Sequence, residues 1–296
     1  MTVQLRNYTS EPGFTKDFDM VRDFLIRINK DSIVNPGFIW GRWEWVFSLP
    51  YLDKSSLSKI GIWEDNGTIA AVATYEQDLG YAYFLVDNNY AYLKKEMLAY
   101  AEKSLCKNGA FKALIPDNDR EFQKIALSHG LKPTQQKENN SVLEITQQNT
   151  HYVLPKGFTI RSLVENCDLH KVNRVLWRGF NHEGEPPESA QAMEERRLSL
   201  AGPHINLDTF IVVVSPEGEY VSFCGTWYDK ATDYALVEPV ATDPLYRKMG
   251  LGKAAVLEAV KRCGKLGAKR AYVGSSQQFY YRIGFSPLPA DTFWEH

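Results

Sequence analysis

Two glycines and three basic residues stand close together where a strand-like run of the sequence gives way to a helix-like one. The apolar run 235–242 is followed by residues 247–254, which read RKMGLGKA. Apolar and charged residues then mix over 252–264 in a pattern that predicts a helix with one packed and one solvated face. The first N–H groups of a helix lack intrahelical acceptors, and glycines let an anion approach the main chain. The sequence therefore predicts an anion-binding loop at Gly250 and Gly252.

The spacing of the glycines distinguishes two kinds of phosphate loop. A dinucleotide-binding loop has the pattern G-x-G-x-x-G, and an acidic residue ends the next strand. Here the pattern is R-x-x-G-x-G, the predicted strand 270–273 does not end in an acidic residue, and residues 279–285 read FYYRIGF. This combination resembles the GNAT N-acetyltransferases. In that family [QR]-x-x-G-x-[GA] holds the pyrophosphate of acetyl-CoA, and a tyrosine four residues before a Gly-Phe pair lies next to the thioester sulfur.

The resemblance implies an acetyl-CoA site and assigns its residues. The main chain at the end of the strand would bind the pantetheine arm, and the loop amides would hold the pyrophosphate, with charge added by Arg247 and Lys253. The residues that the resemblance assigns to the cofactor are Val240, Ala241, Thr242, Arg247, Lys248, Met249, Gly250, Leu251, Gly252, Lys253 and Ala254. No metal is implied. An ordinary buried strand at 240–242 and solvated basic side chains are the alternative interpretation.

Two adjacent tyrosines are candidates for the general acid that the resemblance implies. Tyr280 has the family's spacing to Gly284 and Phe285, and a phenol with a pKa of about 10 is protonated at working pH and close to a thiol in acidity. Tyr281 is the alternative, since neighbouring residues of a helix point about 100° apart and only one can face the sulfur. Glu238, a carboxylate within an apolar strand, is the candidate general base, with a structural ion pair as the alternative.

Short patterns recur in the two halves of the chain. K-x-G-A occurs at 107–110 and again at 265–268, and G-x-x-P occurs at 130–133 and again at 284–287. Recurrence at a nearly constant separation indicates a duplicated domain. Together with the resemblance, it predicts an α+β fold (three-layer α/β) of two tandem GNAT domains, each a mixed, mostly antiparallel sheet flanked by helices.

The two predicted domains, 1–150 and 151–296, differ where the chemistry would take place. In the first, the stretch that aligns with the glycine loop has neither glycine, and Tyr92 and Lys94 would crowd the amides. Ala126 stands where the second half has its tyrosine. By resemblance the N-terminal copy is degenerate and structural, an arrangement known in mycothiol synthase and its relatives. The acetyl-CoA site is then expected in the C-terminal domain alone.

The acceptor side of the GNAT fold is built by its early helices, which are predicted here at 168–180 and 188–201. Between them, the loop 181–188 reads NHEGEPPE. Its glutamates would attract a cationic amine, and acidity that serves only solubility is the alternative. His182 in this loop is a second candidate base or a solvated loop residue.

Composition and charge narrow the choice of partner. Of 296 residues, 44% are hydrophobic and 24% are charged, and the formal net charge is −2. This balance gives no electrostatic basis for binding nucleic acid or an anionic membrane. The four cysteines lack C-x-x-C and metal-ligand spacing, and neither a signal sequence nor an apolar run of membrane-spanning length occurs.

These observations together predict an enzyme with a small substrate. We expect a cytoplasmic monomer or homodimer that transfers an acetyl group from acetyl-CoA directly to the amine of a small molecule, without a covalent enzyme. A protein or peptide N-acetyltransferase and a non-catalytic acyl-CoA-binding sensor are the alternatives. The acceptor itself is not specified by the fold, because one fold serves many substrates.

Overall fold

The computed structural model describes residues 3–30 and 32–296. The chain divides into two compact units, each with its own sheet and flanking helices. The first unit comprises the chain up to Phe47 together with Tyr51–Asn140 and Leu288–His296, and the second comprises Ser48–Pro50 and Ser141–Pro287. No helix of the described residues is both long and apolar enough to span a bilayer.

The first unit contains a seven-stranded sheet. Its strands are β1 (Gln4–Asn7), β2 (Gly61–Asp65), β3 (Thr68–Thr74), β4 (Tyr81–Val86), β5 (Lys112–Pro116), β6 (Lys132–Glu138) and, from the end of the chain, β14 (Asp291–Glu295). Their order across the sheet is β1-β2-β3-β4-β5-β14-β6. The helices of this part of the chain are α1 (Lys16–Ile28), α2 (Trp40–Ser48), α3 (Lys94–Ser104) and α4 (Arg120–Ser128).

The second unit also contains a seven-stranded sheet, in the order β13-β7-β12-β11-β10-β9-β8. Its strands are β7 (Ser141–Glu144), β8 (Thr159–Ser162), β9 (Ile211–Val214), β10 (Tyr220–Tyr228), β11 (Tyr234–Thr242), β12 (Arg270–Val273) and β13 (Ser286–Pro287). Its helices are α5 (Leu169–Gly179), α6 (Ala190–Leu198), α7 (Leu251–Leu266) and α8 (Gln278–Arg282). Helices α5 and α7 both pack against β10 and β11. Eight consecutive residues of β10 are buried, so both faces of the sheet are covered there.

The two sheets follow the same plan. Among the described residues, neighbouring strands pair antiparallel except for one parallel pair in each sheet, β4 with β5 and β11 with β12. A parallel pair needs a crossover connection, which α3 provides in the first unit and α7 in the second. The predicted fold class, two mixed and mostly antiparallel sheets flanked by helices, is confirmed.

Each sheet is completed by a strand that the sequence order would assign to the other half. The last strand of the chain, β14, lies between β5 and β6, and β7 lies between β12 and β13. Leu143 of β7 is 1% exposed in the core of the second unit, and Phe293 of β14 is 3% exposed in the first. The division into compact units therefore differs from the predicted boundary at 150/151 over 48–50, 141–150 and 288–296. Hydrogen bonds and apolar burial, which assign these segments, act between residues that are distant in sequence.

Helix ends in the second unit follow their capping side chains. The Asp168 carboxylate accepts a hydrogen bond from the Lys171 amide at 3.1 Å, so α5 begins one residue later than predicted. Ser189 caps α6 in the same way through the Ala192 amide at 3.2 Å. Helix α6 is shorter than the predicted 188–201 and contains no buried residue, so no apolar face extends it.

In the first unit, the segment that aligns with the glycine loop is a 3-10 helix, Asn88–Leu93, followed directly by α3. Lys94, the first residue of α3, is buried, and its Nζ lies 2.6 Å from the carboxylate of Asp119 at the start of α4. Tyr92, which was predicted to crowd the amides together with Lys94, is instead 65% exposed. The ammonium group of Lys94 thus lies at this helix N-terminus, paired within the protein.

Two aromatic side chains pack beside the same strands of the first unit. Strand β4 pairs with β5 only at its first residues, ending at Ala82 opposite Ala113. Beyond this point Phe84 of β4 meets Phe122 of α4 edge to face, with ring centroids 5.0 Å apart, and both rings are buried. A buried aromatic pair thus packs between β4 and α4 beside the point where the two strands diverge.

Candidate functional site

A gap opens in the sheet of the second unit where β11 and β12 diverge. The two strands pair in parallel from Tyr234 to Leu236, opposite Arg270 to Tyr272, whereas β11 continues to Thr242. On its other side β11 stays paired with β10 as far as Thr242. Within the described residues, the edge of β11 that faces β12 therefore has no strand partner from Val237 onward. The residues 240–242 that the sequence assigned to cofactor binding lie on this edge.

The glycine loop lies at the N-terminus of α7, beside the end of β11. Gly250 has φ of 84° and precedes the first residue of the helix, and a Cβ there would meet nothing within 4 Å. A Cβ at Gly252 would lie 2.9 Å from the Thr242 hydroxyl, so only glycine allows this close approach of helix to strand. Gly250 therefore leaves open space in front of the helix, and Gly252 sets its distance from the sheet.

The first amides of α7 are free to bind a ligand. The Ala254 amide donates to the Gly250 carbonyl at 3.0 Å and is the first in the helix with an intrahelical acceptor. In the part of the chain that the structure describes, the amides of residues 251–253 have no protein acceptor. Lys248, with φ of 65°, turns the chain just before them. Converging amides with the positive end of the helix dipole form an anion site.

One cavity, with a volume of about 680 Å³, lies over the later turns of α7 against residues 145–152 and does not include the glycine loop. The cavity at the diverging strands has a volume of about 670 Å³ and contains most of the predicted site residues. The predicted residues that line it are Val240, Ala241, Thr242, Arg247, Lys248, Gly250, Leu251, Gly252, Lys253 and Tyr280. Met249, Ala254 and Glu238, which were predicted with them, do not belong to its lining; Met249 is 44% exposed and Ala254 is fully buried.

Several lining residues were not predicted. They are Gly179, Phe180, Asn181, Tyr246, Gln277, Phe279, Arg282 and Ile283. The first three form the end of α5 and the residues after it, and Arg282 adds a cation on the side of α8 to those of the glycine loop. The only sequence signal for the α5 group was the predicted helix end near residue 180, which gave no indication that this end reaches the glycine loop.

Tyr280 is buried, with 7% of its surface exposed, and lies between the rings of Phe279 and Phe285 at centroid distances of 5.0 and 5.5 Å. Burial raises the pKa of Tyr280 above the ordinary 10.0, and the neighbouring Cys224 and Glu238 add to the effect. The hydroxyl is therefore protonated at any physiological pH. Of the two candidate tyrosines, both within the described residues, Tyr280 lines the cavity and Tyr281 does not.

Glu238 lies at the middle of β11 and is partly buried. Its main-chain carbonyl accepts a hydrogen bond from the Trp227 indole at 2.9 Å, which fixes the strand at this point. Its charge contributes to the raised pKa of Tyr280, so the carboxylate and the phenol are near one another. The role of Glu238 as a general base stays a prediction.

The loop after α5 is exposed over 181–185 and makes several contacts with the helix. The ring of His182 packs against Trp177 with centroids 4.5 Å apart, and the Trp177 indole donates to the Gly184 carbonyl at 3.2 Å. Glu185 pairs with Arg178 at 3.3 Å. One of the loop's glutamates is thus paired at the surface, and the imidazole is in tilted contact with an indole ring.

The arrangement suits a long ligand with an anionic part and a reactive end. Free amides lie at the glycine loop, an unpaired strand edge runs along one wall, and a protonated phenol lies beside the cavity. Open space at Gly250 allows an anion to approach the main chain. A sheet that splays beside a glycine-bearing helix N-terminus in this way fits the class of the acyl-CoA-dependent acyltransferases.

Comparison with known families agrees with this class. Residues 169–285 match the model of the Acetyltransferase (GNAT) family, and this range lies wholly within the second unit. Residues 169–285 therefore form an acyltransferase domain of the GNAT family. A comparison with curated proteins finds no match.

Solved structures share the fold of the whole chain. The GCN5-related N-acetyltransferase from Sphaerobacter thermophilus aligns with a TM-score of 0.61 at 16% identity, covering 99% of this chain and 95% of that one. A tandem GNAT protein from the clavulanic acid biosynthesis pathway aligns with a TM-score of 0.63 at 12% identity, covering 100% and 98%. N-myristoyltransferase from Saccharomyces cerevisiae, with bound myristoyl-CoA, aligns at 0.54 and 12% identity, covering 99% and 78%. At these identities the likeness concerns the fold alone, and a particular relation to mycothiol synthase stays a prediction.

Proposed function

We propose that the protein transfers an acetyl group from acetyl-CoA to the amine of a small molecule, directly and within a ternary complex. The observation that carries this proposal is a single cavity that joins the free amides of residues 251–253 to the phenol of Tyr280. The first unit, whose equivalent region contains Lys94 and the Phe84–Phe122 pair, is proposed to be structural. The proposed site is therefore one per chain.

The protein groups around the cavity account for binding of the cofactor. The amides of Leu251, Gly252 and Lys253 are proposed to hold the pyrophosphate, because amides at a helix N-terminus bind anions strongly. The edge of β11 over 240–242, where the Thr242 carbonyl already accepts from Arg247, offers its remaining main-chain donors and acceptors to the amide groups of the pantetheine arm. Both interactions place the thioester toward Tyr280 without any change of fold.

The transfer step changes the bonding of three atoms: the amine nitrogen, the thioester carbonyl carbon and the thioester sulfur. The amine nitrogen attacks the thioester carbonyl carbon and gives up a proton, the carbon–sulfur bond breaks, and CoA leaves as a thiolate that takes a proton from solvent. Because the pKa of Tyr280 is raised, its hydroxyl is a weaker acid than an ordinary phenol, and it acts first as a hydrogen-bond donor whose bond strengthens as charge develops on sulfur. Glu238 is the proposed acceptor, through water, of the proton that the amine loses.

The test is a panel of amines assayed for release of free CoA thiol from acetyl-CoA by the full chain. The panel contains small cationic amines, neutral amines, amino acids and peptides with a free N-terminus, and Tyr280→Phe serves as the control. We expect turnover with at least one small amine. Turnover of peptides alone would identify a peptide acetyltransferase, and acetyl-CoA binding without turnover of any amine would identify a sensor; either result overturns the proposal.

A further inference from the structure

The side chain of Arg247 joins the cofactor loop to the wall of the cavity opposite it. Its Nε donates to the Thr242 carbonyl at 3.1 Å, and its Nη2 donates to the Gly179 carbonyl at 2.8 Å. The first bond holds the end of β11, and the second holds the last residue of α5. A guanidinium carries five N–H donors in a fixed fork, so donors remain for an anion in the cavity.

Helix α5 returns the same kind of contact to the loop. The guanidinium of Arg178 lies 3.5 Å from the carboxylate of Asp243, which is 5% exposed and accepts the Leu245 amide at 2.9 Å. Arg178 also pairs with Glu185 in the loop that follows α5. Two arginines, one from each element, therefore join α5 to the turn between β11 and α7.

The end of α5 also lies directly against the strand. A Cβ at Gly179 would be 2.6 Å from the Ala241 Cβ and 2.9 Å from the Thr242 nitrogen, so the helix end touches the main chain of β11. The next two residues, Phe180 and Asn181, line the cavity. A shift of the cofactor loop is thus transmitted to the start of the loop 181–188 through packed atoms rather than through solvent.

We propose that Arg247 is a positioning residue that couples occupation of the cofactor loop to ordering of the loop 181–188 on the acceptor side. The inference rests on the proposed function, because it assumes that the anion bound at the loop is the pyrophosphate of CoA. An anion that engages the free donors of Arg247 fixes its guanidinium, which in turn fixes the carbonyl of Gly179 and the chain that follows. Such coupling is reciprocal and typically amounts to about 5–150-fold in affinity.

Three main-chain amides at the end of α5 report on this coupling in the absence of an amine substrate. The Phe180 amide donates to the Leu176 carbonyl at 2.9 Å, the Asn181 amide to the Arg178 carbonyl at 2.9 Å, and the His182 amide to the Trp177 carbonyl at 3.2 Å. Their hydrogen exchange measures local opening. A residue with a merely structural role would change this exchange equally with and without CoA, so the CoA-dependent ratio is the informative quantity.

The experiment measures exchange at these three amides in the full chain with and without saturating CoA, and measures CoA affinity separately by calorimetry. In the wild type we expect CoA to slow exchange by at least about fivefold. In Arg247→Gln, and in Arg247→Lys, which keeps the charge but not the fork, CoA should still bind at higher concentration without slowing exchange. The matched control Lys253→Gln removes a loop charge that pairs with no other side chain among the described residues, and at saturating CoA it should keep the slowing of exchange.

Two results would overturn the coupling and can be told apart. If CoA binds the wild type but does not slow exchange, or slows it equally in Arg247→Gln, then the coupling through Arg247 is wrong and the cofactor site stands. If calorimetry shows that the wild type does not bind CoA, the proposed function fails and the coupling fails with it.

Discussion

Asp291 is a buried carboxylic acid at the start of β14, and it should make stability depend on pH. Its side chain is 4% exposed, and its Oδ2 lies 3.4 Å from the amide nitrogen of Asn140. Burial, followed by the charges of Glu138 and Asp117, raises the pKa of Asp291 to about 7, while Arg42 and the Asn140 hydrogen bond act in the opposite direction. The carboxyl is thus expected to be largely protonated in the folded protein below neutral pH.

The size of the effect follows from the two pKa values. Since the pKa is raised from 3.8 in the unfolded chain to about 7, the folded protein holds this proton more tightly. The contribution of Asp291 is therefore fully present below pH 3.8 and is lost as the pH rises to 7. At 1.36 kcal/mol per pH unit the whole loss is about 4 kcal/mol, of which about 3 kcal/mol falls between pH 5 and pH 8. A domain is stable by about 5–15 kcal/mol, so this is a large fraction.

Urea unfolding at pH 5 and pH 8, followed by circular dichroism, measures the difference. Asp291→Asn keeps the size and polarity of the side chain and removes the titration, so its loss of stability between the two pH values should be smaller than that of the wild type by about 3 kcal/mol. Asp23→Asn makes the same chemical change on a side chain that is 75% exposed, and it should behave as the wild type does. If Asp291→Asn and the wild type lose the same stability from pH 5 to pH 8, Asp291 is ionised in the folded protein and the reasoning is refuted.

Three further predictions concern the site and the sheets. Tyr280→Phe should lower kcat by about 10²–10⁴-fold with little change in acetyl-CoA affinity, whereas Tyr281→Phe should lower kcat much less. If steady-state kinetics show the reverse order, the role belongs to Tyr281 and our assignment is wrong. Calorimetry should show one acetyl-CoA site per chain in the wild type, no binding in Gly250→Glu, and weaker binding in Gly250→Asn, because asparagine tolerates positive φ. Two sites per chain in the wild type would contradict the prediction of a single site. A fragment of residues 151–296 lacks β7 and should not fold, whereas 141–287 should; in the full chain Leu143→Ala should cost about 2–5 kcal/mol in urea unfolding.

The parts of the site that lie close together in sequence were predictable. Helix α7 was expected over 252–264 and occupies Leu251–Leu266, and β12 has the predicted bounds of Arg270–Val273. Both follow from local periodicity and from glycines that mark the helix ends, since Gly250 and Gly267 have positive φ. Strand, loop and helix are consecutive, so their order alone brings the strand end to the helix N-terminus.

The parts that depend on distant contacts were not predictable in the same way. Strands β7 and β14 are short, and nothing in their residues states which sheet they enter; the assignment comes from pairing of Leu143 with Ala271 and of Phe293 with Leu114. The place of Gly179 in the cavity wall likewise requires the carbonyl contact from Arg247. The acidity of Tyr280 was taken from an ordinary phenol, and only burial in the folded chain shows that it differs.

Comparison of the two units shows how packing and binding compete for the same kind of space. Both sheets contain a parallel pair that diverges after a few residues. In the first unit the buried rings of Phe84 and Phe122 pack beside the divergence, and Lys94, the first residue of α3, has a charge that is already paired with Asp119. Burial of such rings contributes about 1.5–3 kcal/mol each, which the second unit forgoes in order to keep its cavity. Divergence of the strands therefore permits a cofactor site but is not sufficient for one. The second unit differs in having glycines at 250 and 252, whose missing side chains leave room at the start of α7.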